Sequence, residues 1–545
     1  MFNKLLKYIK FANNTRAPQK AGHKKPTPEN VSFAGNKKSL SNSLDDNSQN
    51  LKKYIGKSDD IIFREFYFGV KQQTKALISF IDGLGDKNLI LEYVVKSLMV
   101  NIHITDPQGK LVDKKNMFDD LKKYILSIVE ATEVRNMDEA IDTILSGNTL
   151  LLFDGSNLGF SISAKGGASR AIEQPETEVV IRGSREAFVE TIRVNTSLLR
   201  KIIKNPNLIF ETLVVGKQTR TDVCIAFIQG IADDKVIQEV RDRINRIDSD
   251  AILESGYIEQ FIEDNPLSLF ATIGNSERPD KVSAKLLEGR VAILCSGTPI
   301  VLTVPYTFTE ALQVPEDYYS RPFLANFIRI LRLLALFITL TLPALYISLT
   351  TFHQEMIPTV LLVTFASARE GIPFPVLIET LISEIIFQFI RESGIRMPKA
   401  VGTAVSIVGT LVIGQAAVEA GIIGAPMVII TALSAITSFI LPSIYDALII
   451  FKFIMIFLSS AFGLYGVIAG MFCMLAHMCS LRTFGTPFMS PLAPVNWSDM
   501  KDAILRFPLW LLKSRPKALT WKNSKRQSSS QMPNKPDKKK GGKNY

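Results

Sequence analysis

The order of hydrophobic and polar residues divides the chain into three parts. Residues 11 to about 50 are mostly Asn, Ser, Lys, Gly and Pro, with too few apolar residues to offset the entropy of an ordered chain. We therefore predict a disordered basic tail over residues 1–50. Residues 51–320 alternate short strand-like runs with helical patterns, and residues 321–481 consist mainly of long uncharged runs.

The middle part has the pattern of a soluble α/β or α+β region. Runs rich in β-branched and aromatic residues predict strands at 61–68, 76–81, 149–153, 208–215, 222–229, 291–295 and 300–305. Apolar residues at helical spacing predict helices, notably at 88–100, 117–130, 185–204, 234–247 and 281–288. A break at Lys165, Gly166 and Gly167 separates two predicted subdomains, 51–165 and 166–320.

The third part is predicted to be a multispan α-helical membrane domain over residues 321–481. Four runs lack Asp, Glu, Lys and Arg and approach or exceed the roughly 20 residues that cross the hydrocarbon core, namely 333–352, 400–418, 420–445 and 453–481. Two further runs, 356–368 and 374–390, are short or interrupted by proline, so each is either membrane-embedded or interfacial. We expect four crossings, or six if Gly463, Gly466 and Gly470 break the last run into a hairpin.

The distribution of charge sets an orientation for these parts. The net charge of +11 comes from the two ends, because residues 1–50 contribute +6, residues 513–545 contribute +10 and the rest sum to −5. A basic total of this origin argues only weakly for nucleic-acid binding, and we predict no nucleic-acid partner. Arg321, Arg329 and Arg332 precede the first long run and lysines follow the last. Both ends, including a basic tail over 482–545, are therefore predicted to be cytoplasmic.

No complete motif of an enzyme or of a metal site occurs in the sequence. Gly56, Lys57 and Ser58 superficially resemble a phosphate-binding loop, but Leu51 stands where its first glycine would be. Cys473 and His477 have the spacing of two metal ligands on one helix face, yet no full ligand set accompanies them. We therefore predict no catalytic residue, no metal and no cofactor.

Two sets of residues in the apolar part are candidates for an ion pathway. Glu379 and Glu384 interrupt the run 374–390, and an acid at membrane depth is a functional candidate by default; the alternative is an interfacial helix whose acids face water. A helical face of small and mildly polar residues could line a wet path closed by Ile413, and the alternative is close helix packing. This face consists of Thr403, Ser406, Thr410, Ile413 and Ala417.

Several stretches of the chain resemble a known family. They are 373–375, Glu379, 391–398, 407–409 and 411–418, with 63–65, 81–84 and 265–266 upstream. Together these stretches resemble the A subunit of GerA-type spore germination receptors. The resemblance runs from about residue 55 to 510.

This resemblance implies a function that the residue patterns alone do not indicate. It implies a protein of the spore inner membrane that acts beside a transporter-like B subunit and a lipoprotein C subunit. It further implies a homo-oligomer, a pentamer, that forms a cation channel opened by a nutrient germinant. The residue patterns leave two alternatives open: a secondary transporter, whose broken helices and buried acids would look the same, and a membrane-anchored signalling or scaffold subunit.

Overall fold

The computed structural model describes residues 39–68, 74–92, 95–96, 131–164, 166, 174–175, 177–398, 414–520, 524–528 and 532–533. Within these residues, two antiparallel sheets are followed by a group of helices and by a C-terminal segment. The predicted order, strands and helices first and a helical region second, is confirmed. Of the two predicted classes for the soluble region, the antiparallel strands favour α+β.

The first half of the soluble region is a five-stranded sheet with two helices packed on one face. Its strands are β1 (Ile61–Phe68), β2 (Thr74–Ile81), β3 (Ala131–Val134), β4 (Thr149–Phe153) and β5 (Gly159–Ile162), in the spatial order β1-β2-β4-β5-β3. Its helices are α1 (Leu44–Ile55), α2 (Lys87–Leu89) and α3 (Met137–Leu145). Helices α1 and α3 bury their apolar sides together against the sheet.

Helix α1 corrects part of the disorder that we predict for residues 1–50. The Ser43 hydroxyl caps the helix by accepting from the amide of Asp46, and acids in the first turn suit the helix dipole. This segment has few apolar residues, but their helical spacing places Leu44, Leu51 and Ile55 in the core of the first half. Residues 1–38 lie outside the described residues.

The second half repeats the topology of the first. Its strands are β6 (Leu208–Val215), β7 (Thr221–Ile228), β8 (Gly274–Ser276), β9 (Val291–Cys295) and β10 (Val301–Val304), in the order β6-β7-β9-β10-β8. Its helices are α4 (Ile192–Ile202), α5 (Asp234–Asn245), α6 (Ser255–Ile262) and α7 (Pro279–Leu287). In both halves a helix precedes the first strand and another precedes the fourth, so the soluble region is a structural repeat.

Most predicted strands are confirmed, and four of them coincide with β1, β4, β6 and β9. Strands β3, β5 and β8 are not among the predictions, because three or four residues carry little alternation. The helix predicted at 185–204 begins only at Ile192, after an extended segment that ends at the cap residue Thr191. Residues 93–94 and 97–100 of the helix predicted at 88–100, and all of the helix predicted at 117–130, lie outside the described residues.

A buried ion pair joins the two halves. Arg200 of α4 donates from Nε and Nη2 to the two carboxylate oxygens of Asp60, at 2.8 and 3.0 Å. The Ser58 hydroxyl accepts from Arg200 Nη2 and from the amide of Phe210 in β6. Bidentate pairing fixes distance and angle together. The stretch that resembles a phosphate-binding loop therefore ends in a structural contact between the halves.

The helical region begins directly after the second sheet. Its helices are α8 (Phe308–Ala311), α9 (Glu316–Tyr319), α10 (Pro322–Thr351), α11 (Thr359–Arg369), α12 (Val376–Arg396), α13 (Gly414–Glu419), α14 (Ala425–Ser438) and α15 (Tyr445–Ser480), with short 3-10 turns at Gln354–Met356 and Pro442–Ile444. Among the described residues, two helical stretches are long and apolar enough to cross a membrane: α10, and the stretch from Pro442 to Ser480.

The stretch assigned to α15 is a hairpin of two antiparallel helices. Gly463 has a φ of 59° and a ψ of −139°, which breaks the helix at its middle. The Phe270 ring lies 5.1 Å from the ring of Phe451 and 6.3 Å from that of His477, so the two ends of α15 meet. Of the two alternatives that the sequence leaves open for this run, the structure therefore has the hairpin, with its break at Gly463. At 1.5 Å per residue each leg is about 25 Å long, close to the thickness of a hydrocarbon core.

The segment after α15 corrects the prediction of a free basic tail over 482–545. Strands β11 (Arg482–Thr483) and β12 (Thr486–Pro487) form a small hairpin, followed by 3-10 turns at Met500–Asp502 and Leu509–Leu511. Phe484 is part of the core of the second half, and the Arg243 guanidinium lies 4.3 Å from its ring centroid. At the far end, the Thr520 hydroxyl donates to the carbonyl of Glu288. Residues 482–520 are therefore part of the folded protein.

Candidate functional site

Helix α12 carries the two buried acids that the sequence marks as candidates. Its buried side faces α14 and α15 and includes Glu379, Ser383 and Glu384. The run 374–390, whose conformation the sequence leaves open, thus lies almost entirely within one continuous helix. Both glutamates have an exposed fraction of 0%. The alternative in which these acids face water is therefore excluded for the single chain.

Glu384 forms an ion pair with a lysine that the sequence analysis does not single out. Lys452 Nζ, on the first leg of α15, donates to Glu384 Oε2 at 2.5 Å, and the lysine is 2% exposed. Breaking such a buried pair from one side leaves an uncompensated charge. Lys452 separates two apolar runs of the sequence and so resembles the end of a span. Only the contact with α12 indicates that it belongs to the interior.

Glu379 is held at the start of α14. Its Oε1 accepts from the amide of Gly424, the cap residue of α14, at 2.8 Å. Its Oε2 lies 3.5 Å from Nε of Arg369, the last residue of α11. A helix N-terminus and a guanidinium both favour a negative charge. Glu379 thereby links three helices, α11, α12 and α14.

Most of the predicted helical face lies outside the described residues. This applies to Thr403, Ser406, Thr410 and Ile413. Ala417 is described, and it is buried in a cluster that includes Tyr346, Val376 and Met427. The structure therefore places Ala417 in the interior of the single chain, near the level of Glu379. It places Glu379 and Glu384 on one helix, α12.

A further polar contact continues from Glu384 toward the end of α12. The hydroxyl of Tyr445, the first residue of α15, donates to Gln388 Oε1 at 3.0 Å. The guanidinium of Arg391 stacks on the ring of the same tyrosine. Polar and charged groups therefore follow the α12–α15 contact from Lys452 to Arg391.

The arginines used to predict orientation are themselves paired. Arg329 Nε and Arg332 Nη1 each donate to Asp317 Oδ2 at 3.0 Å, and Arg329 Nη1 donates to Asp502 Oδ1 at 3.0 Å. Two positive and two negative groups form this buried cluster at the base of α10. Two of the arginines on which the predicted orientation rests are therefore neutralised by acids. The other basic residues behind that prediction are Arg321, Arg391, Arg396, Lys399 and the lysines near the end of the chain.

An apolar core joins the soluble region to the base of the helices. Phe270 of the second half and Phe488 of the C-terminal segment pack with Leu336 of α10 and with both legs of α15, through Leu448 and Met474. The Ser268 hydroxyl lies 3.1 Å from Nε2 of His477. We call this cluster the junction. It leaves no flexible linker between the second sheet and α10.

A buried charged group lies beside the junction. Lys285 Nζ lies 2.9 Å from the Thr303 hydroxyl and 3.3 Å from Glu310, and Arg290 lies 2.7 Å from the same carboxylate. Burial lowers the pKa of Lys285 to about 8. Burial also disfavours the charged form of Glu310, but Arg290 and Lys285 outweigh it and hold the pKa of this carboxyl below its usual value. These groups stabilise one another. Among the described residues, no group of three or more His, Cys, Asp or Glu is placed to hold a metal.

Comparisons with known proteins support the resemblance seen in the sequence. The model of the family described as Bacillus/Clostridium GerA spore germination protein matches residues 49–518. Spore germination protein KA of Bacillus subtilis (strain 168) is 44% identical over 496 residues, 91% of this chain and 90% of that protein. Uncharacterized membrane protein YfkQ of the same strain is 42% identical over 497 residues, 91% of this chain and 94% of that protein.

A solved structure is similar to about half of the chain. The crystal structure of the N-terminal domain of the A subunit of the Bacillus megaterium spore germinant receptor GerK3 is 37% identical, covers 50% of this chain and 98% of that chain, and has a TM-score of 0.40. The family match extends well beyond this part, through the helices and the C-terminal segment. The chain therefore belongs to the Bacillus/Clostridium GerA spore germination protein family.

Proposed function

We propose that the chain is the A subunit of a nutrient germinant receptor in the spore inner membrane. In this proposal it acts with a transporter-like B subunit and a lipoprotein C subunit, and copies of the chain assemble, as a pentamer, into a cation channel. A nutrient germinant opens the channel, and cation release starts germination. Membership of the family supports the receptor role, because relatives of this chain carry the name spore germination protein.

The observation that carries the channel role is charge buried among apolar helices. Glu379, Glu384 and Lys452 are all buried in the helical region. Ionisable groups at membrane depth are costly and mark ion pathways in membrane proteins. A helix bundle that served only as an anchor would gain nothing from keeping them.

The directions of the helices support six crossings. Five of them are α10, α12, α14 and the two legs of α15, and the sixth is the run 400–418, most of which lies outside the described residues. Helix α10 and the two legs of α15 run side by side, since Gly463 at the tip of α15 lies against Phe352 and His353 at the end of α10. Helices α12 and α14 both run back toward the base, where Phe387 and Phe439 meet with ring centroids 6.0 Å apart. In our proposal all of these helices cross the membrane, and the soluble region lies in the cytoplasm.

Reconstitution of the purified receptor complex in lipid bilayers tests this function. A cation current that appears on addition of the nutrient would support the channel. Saturable exchange of a solute without such a current would support a secondary transporter. If the complex shows neither, although it binds nutrient, the membrane part is an anchor and the chain is a signalling or scaffold subunit.

The predicted pore face gives a second test. If the face of Thr403, Ser406, Thr410, Ile413 and Ala417 lines a pore, Ile413 is its bulky apolar ring and opposes wetting. We expect Ile413→Ala to cause ion leakage and premature germination without nutrient, whereas Ile413→Phe stays closed. Spore dormancy and subunit abundance are measured together. If Ile413→Ala only lowers abundance, as a cavity costing about 2 to 5 kcal/mol would, Ile413 is a packing residue.

A further inference from the structure

Helices α12 and α14 lie side by side and run in the same direction, which sets which residues face each other. The Gly424 amide meets Glu379, and the Thr380 hydroxyl lies 3.5 Å from the sulfur of Met427. One helical turn further along each helix come Glu384 and Thr431. Thr431 is thereby placed opposite Ser383 and Glu384.

Three oxygen atoms at this level have no hydrogen-bond partner among the residues that the structure describes. They are the hydroxyls of Ser383 and Thr431 and the Oε1 atom of Glu384. The exposed fractions of these residues are 7%, 6% and 0%, so bulk water does not reach them. Burying such groups without partners is costly. Their convergence indicates a site for a ligand that oxygen atoms can bind.

The charge at this level selects the class of ligand. Two hydroxyls and a carboxylate are oxygen ligands that suit hard cations. Lys452 already delivers one positive charge, but within the described part of the chain its ammonium bonds only to Glu384 Oε2 and leaves the other oxygens unused. An ammonium and a monovalent cation carry the same charge and prefer the same acceptors.

We propose that Ser383, Glu384 and Thr431 form a monovalent-cation site and that Lys452 fills it as a tethered cation in the closed subunit. When Lys452 withdraws, a monovalent cation such as K⁺ binds among the three oxygens. The role of this exchange in channel opening rests on the proposed function, whereas the binding site itself does not. The site adds to that function a binding position for a cation inside a single subunit.

The test removes the tethered charge and asks whether K⁺ replaces it. The receptor complex is prepared with wild-type chain, with Lys452→Met, and with the double substitution Glu384→Gln and Lys452→Met. Thermal unfolding is followed as KCl replaces N-methylglucamine chloride at constant ionic strength. We expect K⁺ to raise the unfolding temperature of Lys452→Met in a saturable manner. The wild-type chain and the double variant should show no such rise.

A second comparison tests the oxygen ligands. In the Lys452→Met background, Ser383→Ala or Thr431→Val should raise the half-saturating K⁺ concentration at least tenfold. Ser434→Ala is the matched control, because Ser434 is also buried on α14 but its hydroxyl already donates to the carbonyl of Thr339. This control should leave the K⁺ dependence unchanged.

Two results would overturn the site. One is Lys452→Met protein that accumulates and unfolds at the same temperature in both salts. The other is a K⁺ effect that persists in the double variant. If Lys452→Met does not accumulate, Lys452→Gln, which can still donate to Glu384, enters the same titration, and a lack of K⁺ dependence there also overturns the site. Nutrient-gated current in the wild-type complex together with either result would leave the proposed function standing without this site.

Discussion

At the scale of single residues, Glu259 shows how the soluble region responds to pH. Burial, with the nearby carboxylates of Glu263 and Glu254, raises the pKa of Glu259 to about 7 from an ordinary 4.5. Between these values the folded chain binds more protons than the unfolded chain, so the free energy of unfolding falls as the pH rises. Glu259→Gln should therefore stabilise the protein at about pH 8, by on the order of 1 to 3 kcal/mol.

The same substitution should have no effect at about pH 3, where the carboxyl is protonated in both states. Thermal unfolding at the two pH values measures the difference. Glu190→Gln is the control, since Glu190 is an exposed acid in the same region. A stabilisation by Glu259→Gln that is equal at both pH values would mean that charge is not its cause.

Sequence reasoning finds some residues of the candidate site and misses others for a physical reason. Glu379 and Glu384 stand out because an acid within an apolar run is unusual. Lys452 also lies between apolar residues, but Lys452 and Asp446 separate the runs 420–445 and 453–481 and so look like the boundary between two spans. In the fold, the chain reverses at Gly463 and α15 divides into two short legs. Lys452 therefore lies within the first leg and not at its end.

At the scale of elements, the hairpin of α15 depends on two glycines with different neighbours. A Cβ atom on Gly466 would lie 2.1 Å from the carbonyl oxygen of Leu458, whereas one on Gly470 would lie 2.5 Å from the sulfur of Met455. A thioether can move aside, but a backbone carbonyl cannot. Gly466→Ala should therefore abolish most of the folded protein, and Gly470→Ala should cost about 1 to 3 kcal/mol.

Size-exclusion profiles of detergent extracts measure the folded fraction of each variant. Gly371→Ala is the control from the same region, because a Cβ atom there would meet nothing within 4 Å. Adding Met455→Ala should restore the folded fraction of the Gly470→Ala variant. It should not restore the folded fraction of the Gly466→Ala variant. Equal losses from the two glycine variants would contradict the close approach of the two legs.

Strand prediction finds every strand of five or more residues in the two sheets, but of the four strands with three or four residues it finds only β10. Strands β1, β6 and β7 have eight residues each, and their runs end at turns that the sequence marks. Strands β3, β5 and β8 have three or four residues and depend on their neighbours for partners. Because one of these short strands forms an edge of each sheet, the repeat of the two halves is visible only in the fold.

At the scale of the whole molecule, the C-terminal segment should decide whether the protein folds. Phe484 completes the core of the second half, and Asp502 pairs with Arg329 at the base of α10. Ending the chain after Ser480 removes both contacts, so we expect almost no protein in membrane fractions. Ending it after residue 533 removes only the last, lysine-rich residues and should leave the amount unchanged. Quantitative immunoblotting of membranes compares the two truncations.

Normal accumulation of the shorter chain would show that the second half folds without the segment. A matched point variant refines the result. Phe484→Ala should lower the free energy of unfolding by about 3 to 5 kcal/mol, the amount typical of a lost core aromatic, and the unfolding temperature should fall with it. Trp497→Ala, on the exposed surface of the same segment, should change it little.

The junction has a mechanical consequence for the ring of subunits that we propose. Phe270 and Phe488 fasten the second sheet to the ends of both legs of α15, and the bidentate contact of Arg200 fastens the first sheet to the second. In the membrane orientation that we propose, the helices and both sheets of one chain would then move together as one stiff body. A small tilt of α15 would swing the first sheet through a wider arc. The distance between fluorophores on the first sheets of neighbouring subunits should therefore change by more than the tilt of α15 itself when the channel opens. Such a measurement would detect gating at a place far from the ions.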